Sequence, residues 1–148
     1  FVLDLVGFFE DEYKEQVKEL EKHSIAHFYG FQSDPRPFYI EADCVVLPSY
    51  HEGMSNVILE AAATGRPVIT SNIPGCRESV ENGKSGLLVE VKNKEMLYDA
   101  MKEMLHCSRE EREQMGQAGR EKMEREFRKE VVVEKTVQSL REDEKRDF

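Results

Sequence analysis

Apolar positions along this chain alternate between short continuous runs and helical stripes. Residues 1–7 (Phe1-Val2-Leu3-Asp4-Leu5-Val6-Gly7) predict a strand, and residues 11–22 place Tyr13, Val17 and Leu20 on one helical face. A second short strand is expected over 25–29, closing on Gly30-Phe31. Pro35 and Pro37 then punctuate the connection to a helical turn over 38–41. The run Ala42-Asp43-Cys44-Val45-Val46-Leu47-Pro48-Ser49 reads as a buried parallel strand. A Gly-led turn follows, then an apolar helix ending near Ala61-Ala62-Ala63-Thr64-Gly65, then a strand over 67–71. Residues 73–81 predict a loop and short helix, and Asn82-Gly83 and Ser85-Gly86 flank Lys84 as turn signals before a strand over 86–91. Asn93 caps a helix whose Leu97, Ala100, Met101, Met104 and Leu105 form a buried stripe, core rather than a cofactor site. Ser108-Arg109-Glu110-Glu111 fits a capping box. It opens charged helices in which Met115, Met123, Phe127, Val131 to Val133, Val137 and Leu140 are available to pack, and 141–148 is expected to fray. Strands alternating with helices define an α/β class built on a parallel sheet.

The candidate chemistry lies between the strand over 42–49 and the helix after it. His51-Glu52-Gly53-Met54-Ser55-Asn56-Val57-Ile58-Leu59-Glu60 sets two carboxylates around a turn that enters a helix. First-turn amides of a helix have no partner inside it, and the helix dipole favours negative charge there, so this order of elements makes an anion site. Gly53 is expected to let the backbone approach a ligand and to adopt dihedrals closed to other residues. Glu60 is surrounded by Val57, Ile58, Leu59, Ala61, Ala62 and Ala63, so its helix is expected to be apolar almost all round and largely buried. A carboxylate there must be neutralised, hydrogen-bonded or open onto a cavity. A capping-box Glu after Ser55 would stand at position 58, so capping does not explain Glu60. Glu52 taken alone is equally well a solvated loop carboxylate.

Composition narrows the partners. The chain has 148 residues, enough for one domain burying roughly 70% of its unfolded surface. Charged residues make up 34% and the net charge is −9, which argues against nucleic acid and gives no support to membrane-surface binding. Cys44, Cys76 and Cys107 are odd in number and widely spaced; Cys44 is expected to be a buried thiol, and a reducing cytoplasm is the default compartment. No apolar run nears 18 residues, so no membrane span is expected. His23 and His27 are four apart with a helix end between them, so a shared metal face is not expected, and no metal ligands cluster elsewhere.

The stretch Leu47-Pro48-Ser49-Tyr50-His51-Glu52-Gly53-Met54-Ser55-Asn56-Val57-Ile58-Leu59-Glu60-Ala61 resembles the donor-site signature of family-4 retaining glycosyltransferases of the GT-B fold. The likeness continues through Gly65-Arg66-Pro67-Val68-Ile69, Ile73-Pro74-Gly75-Cys76-Arg77-Glu78 and Asn82-Gly83-Lys84-Ser85-Gly86-Leu87-Leu88-Val89, and is greatest for bacterial polysaccharide-assembly members. It implies a Rossmann-like three-layer domain, the second of the two GT-B domains, over 1–148, with sheet and helices in 1–105 and C-terminal helices in 106–148. It also implies that Glu52 contacts the donor sugar hydroxyls and supports the transition state, the catalytic contribution of this chain, and that Glu60 contacts the ribose. Neither is implied as a general base. Backbone around Gly53, Met54, Ser55, Asn56 and Val57 would meet the diphosphate. Gly7, Gly30, Phe31 and His51 are further candidates, Gly30 and Phe31 near the base, although Phe31 fits core packing equally well. The resemblance also implies a place for Gly75, Arg77 and Glu78 in shaping the donor pocket, with Arg77 better explained by an ion pair. The family needs no metal or other cofactor, its partners being a nucleotide-sugar donor, here expected to be UDP-linked, and an acceptor glycan. The expected location is cytoplasmic, whether or not the parent enzyme sits on the membrane face.

The resemblance starts at the second strand of that domain. The preceding strand and helix, with an Arg and a Lys for the diphosphate, and the whole acceptor-binding domain have no counterpart here, so the chain is expected to be an N-terminally truncated fragment without turnover. In a sheet of order 3-2-1-4-5-6 the absent strand is central. Its neighbours would expose edges, so self-association of the fragment is expected. Competing readings are a carboxylate-pair glycosidase, a non-catalytic nucleotide-sugar-binding or assembly module, and an NAD-binding domain. A hydrolase substrate carries no phosphate for the helix N-terminus, and no G-x-G-x-x-G follows a strand.

Overall fold

The computed structural model describes residues 1–8 and 11–144, with side chains described to residue 142. Contacts sort the chain into two compact units, Phe1–Ala42 and Asp43–Phe148. In the first unit, β1 (Leu3–Val6) and β2 (Ala26–Gly30) pair in parallel, Leu3 opposite Ala26 and Val6 opposite Gly30. A single 3-10 turn (Asp11–Tyr13) and α1 (Lys14–Lys22) connect them, and α2 (Arg36–Glu41) follows. α1 ends where expected, with His23 at its C-cap. His23 faces Glu19 at 2.9 Å while His27 faces Asp4 at 3.6 Å, so the two imidazoles serve different carboxylates.

In the second unit, β3 (Val45–Leu47), β4 (Val68–Ser71) and β5 (Gly86–Val89) form a parallel sheet in that order. The strand expected over 42–49 shrinks to three residues, all half-buried, because the backbone beyond Leu47 turns away into the loop that carries Glu52. β4 is buried throughout, as a central strand covered on both faces must be. α3 (Asn56–Ala63) joins β3 to β4, and α4 (Lys94–His106) follows β5. The segment expected to hold a short helix between β4 and β5 is instead a succession of turns.

Ile69, Leu87, Val89, Ala100 and Met104 form the core, with Cys44, Val46, Leu97, Met101 and Met115 packed against it. Leu105, assigned to the buried stripe of α4, is instead exposed, because the helix meets the sheet with a narrower face. The Asn93 side chain caps α4 by accepting from the Met96 amide at 2.9 Å. α5 (Arg109–Glu126) opens on the expected capping box of Ser108 and Glu111, and α6 (Lys129–Glu144) runs on through the segment expected to fray; residues 145–148 lie outside the described residues. α5 approaches the end of α3 so closely that a side chain on Gly116 would overlap the Gly65 carbonyl. α6 leaves Val132, Val133, Val137 and Leu140 exposed, so these residues find no core. Among the described residues no helix is long and apolar enough to cross a membrane.

Candidate functional site

The loop over 48–55 leaves the carboxyl end of β3 and delivers the chain to the start of α3. Carboxyl ends of parallel strands are where open α/β sheets bind ligands. Glu52 is half-buried in this loop, and the Ser49 hydroxyl donates to its Oε1 at 2.8 Å, which fixes the carboxylate while leaving its other oxygen for a further donor. Ser55 is buried and extended at the N-cap of α3, yet its side chain caps nothing. The amides of Asn56, Val57 and Ile58 therefore meet no protein acceptor among the described residues, and the positive end of the helix stays open.

The platform beneath this loop is the turn carrying Ile73-Pro74-Gly75-Cys76. The Ser55 amide donates to the Gly75 carbonyl at 3.2 Å, and the Ser79 hydroxyl reaches the Met54 sulfur at 3.7 Å. Gly75 has φ +87° and presses on the Glu52–Gly53 backbone, where any side chain would overlap the Gly53 carbonyl. Gly53 itself has no positive φ and faces open space, so the left-handed backbone expected of it belongs to Gly75. The openness of Gly53 still allows close approach of a ligand to the main chain.

Next to the platform, Thr70 of β4 links the ends of two strands by donating to the Leu47 carbonyl of β3 at 2.8 Å. Burial pushes the Cys76 thiol above its ordinary range, against a hydrogen bond with Thr70 that acts the other way. Backbone amides, its own first and then that of Gly75, hold the Glu78 carboxyl below the usual carboxylate range. The Gly75 amide donates to Glu78 at 2.8 Å, and Arg77 faces the same carboxylate at 3.6 Å, the ion pair expected of it.

Glu60 stands away from these contacts. α3 buries Ile58, Ala61 and Ala62, but Glu60, Val57 and Ala63 are exposed. The expectation of a helix buried all round is thus corrected: α3 meets the sheet and α5 on one side only. The Glu60 carboxylate has no hydrogen bond or ion pair among the described residues. It borders a groove of about 370 Å³ lined also by Leu59, Ala63, Met123 and Phe127. His51 is exposed, as is Met54. In the first unit the Gly7 amide donates to the Gly30 carbonyl at 2.9 Å, both glycines having positive φ. Phe31 is exposed rather than in the core, its ring stacked on Phe8 at 5.3 Å.

Ser49, Tyr50 and Lys92 were not among the candidates. A hydroxyl three residues before Glu52 was the available signal for Ser49. Nothing local announces the Lys92 ammonium 5.5 Å above the Tyr50 ring, since 42 positions separate them. Among the described residues no three His, Cys, Asp or Glu side chains gather as metal ligands.

A parallel α/β sheet with an open helix N-terminus and a held carboxylate at its carboxyl end is the arrangement in which α/β domains receive anionic ligands. The sequence profile of the family described as "Glycosyl transferases group 1" matches residues 1–122, and the chain belongs to that family. It is 33% identical over 102 residues to the capsular polysaccharide biosynthesis glycosyltransferase CapM of Staphylococcus aureus, covering 69% of this chain and 27% of that protein. A sucrose-phosphate synthase from Thermosynechococcus elongatus superposes with a TM-score of 0.80 at 28% identity, over 95% of this chain and 38% of its own. Anabaena HepE, solved in complex with UDP, gives 0.78 at 22% identity over 95% and 41%, a likeness of fold alone. The fold is that of the Rossmann-like domain of GT-B glycosyltransferases. The chain spans less than half the length of each of these proteins.

Proposed function

We propose that this chain is the donor-binding portion of a longer retaining glycosyltransferase that moves a hexose from a nucleotide sugar to an acceptor glycan or lipid-linked glycan. One observation carries the reading: Glu52, held by Ser49, stands four residues before the uncapped amides of α3. A carboxylate accepting sugar hydroxyls makes charge-assisted hydrogen bonds. The helix N-terminus stabilises the charge that develops as the nucleoside diphosphate departs, with no metal or other cofactor required. Gly53, Met54, Ser55, Asn56 and Val57 would bring their backbone to the diphosphate, and Glu60 its free carboxylate to the ribose. Glu52 supports the transition state rather than acting as general base. The donor is UDP-linked in this proposal, as UDP is the nucleotide in the HepE complex. The acceptor would be bound by the rest of the enzyme, in the cytoplasm, and this portion alone would not turn over.

Ligand-observed NMR with UDP, GDP, ADP and UDP-N-acetylglucosamine, repeated with Glu60→Ala, tests this. Selective UDP binding lost in the variant is expected. Silence from every nucleotide, in this chain and in the longer enzyme alike, would overturn the reading.

A further inference from the structure

Lys92 is a lysine where the backbone asks for glycine. The Asn93 amide donates to the Glu90 carbonyl at 3.3 Å, closing a turn between β5 and α4. Lys92 occupies the third position of that turn with φ +60°, a left-handed conformation that L side chains rarely adopt. No carboxylate among the described residues pairs with its ammonium. Its Nζ lies 5.5 Å from the centroid of the Tyr50 ring instead. Since β4 separates β3 from β5, this contact spans the carboxyl ends of all three strands, from the turn after β5 to the loop after β3. Tyr50 sits between Ser49 and Glu52, whose side chains are joined at 2.8 Å.

We propose that Lys92 is a positioning residue: its ammonium, aimed by the left-handed turn, holds the Tyr50 ring and thereby fixes the Ser49–Glu52 segment for the sugar of the donor. The inference rests on the donor-binding reading of that loop. It separates two parts of the site. The Ser49–Glu52 segment rests on the Gly75 platform and depends on Lys92 as well, whereas the start of α3 is held by that platform without Lys92. A cation over an exposed aromatic face supplies a small, orientation-dependent attraction, suited to biasing a loop rather than building it.

The test uses the full-length enzyme, with UDP-N-acetylglucosamine, UDP-glucose and free UDP as calorimetric probes. Lys92→Met and Tyr50→Leu are expected to weaken the sugar nucleotide about two- to five-fold, the factor an exposed cation–π contact is worth, with free UDP unchanged. Lys92→Arg should restore wild-type affinity, and combining Lys92→Met with Tyr50→Leu should add nothing further. Lys92→Gly should raise the melting temperature by about 1–2 °C and still weaken the donor, an opposition that a purely structural lysine would not produce. Unchanged donor affinity in Lys92→Met and Lys92→Gly would overturn the proposal. If the wild-type enzyme binds none of the probes, the donor-binding reading has failed. The Tyr50 ring resonances then decide the positioning separately. A shift in Lys92→Met that Lys92→Arg does not show supports it, and no shift overturns it.

Discussion

The amide of Ser55 donates to the carbonyl of Gly75 at 3.2 Å, so the start of α3 is held by a turn twenty positions further along the chain. Gly75 is left-handed, and a Cβ on it would overlap the Gly53 carbonyl and crowd that of Glu52. Two glycines therefore divide one task. Gly75 removes bulk so that the loop can be seated, and Gly53 removes bulk on the open side, where a ligand's phosphates would approach. The seat is rigid because Gly75 is itself tied to Glu78, and Thr70 anchors the neighbouring strand ends.

Gly75→Ala should accordingly cost about 2–4 kcal/mol, from left-handed strain together with forced displacement of the loop. Gly53→Ala should stay within about 0.5 kcal/mol of wild type, since its Cβ meets nothing. Urea denaturation of both variants checks this. Equal losses would mean that the loop does not rest on Gly75.

Glu60→Ala should leave stability within about 0.5 kcal/mol, because its exposed carboxylate has no partner among the described residues. In the full-length enzyme it should weaken UDP and UDP-sugar alike. Glu52→Ala should weaken the UDP-sugar more than UDP, because its proposed contact is with the sugar. Titration calorimetry with both ligands separates the two carboxylates, and identical ligand profiles would remove the division of labour.

The order of β3, loop, α3 and β4 is legible in the sequence because apolar runs, a glycine-led turn and a helix start follow one another within thirty residues. Local patterns of that kind also give the Asn93 cap and the Ser108 capping box. The errors come from partners that a local pattern cannot supply. α3 is apolar around most of its circumference, but only Ile58, Ala61 and Ala62 find a surface to cover, so Glu60 faces outward. Leu105 departs in the same way, as an apolar residue whose neighbours do not close over it, and the exposure of Phe31 removes only its core-packing alternative. A local pattern points to a left-handed glycine at 53, and the structure has it at 75, because that choice depends on a contact between two loops. Ser49, three residues from Glu52, was within reach of a local reading; Lys92 was not.

The three thiols should differ in reactivity. Burial pushes Cys44 up to about 12, and it also raises Cys76. The thiolate is the reactive form, so both should be alkylated slowly in the native protein at pH 8, and rapidly in urea. Peptide mapping after brief iodoacetamide treatment, with Cys107 as the internal comparison, reads this directly. Fast native labelling of Cys44 would contradict its place against the core.

Lys122 is a largely buried cation, and Glu126 answers it at 2.6 Å. The hydrogen bond from Lys122, reinforced by Arg125, holds the Glu126 carboxyl below its ordinary value of 4.5. A carboxylate whose folded value is depressed stabilises the native state fully above the unfolded value and loses that contribution as pH falls through the folded one. Glu126→Gln should therefore cost about 1–2 kcal/mol at pH 7, where it leaves a buried ammonium with a weaker acceptor. The gap between variant and wild type should narrow once the pH drops below about 4.5, as wild-type Glu126 begins to take up its proton. Urea midpoints at pH 7, 5 and 3 measure this. A gap that stays constant across the range would show that Glu126 contributes through packing rather than through its charge.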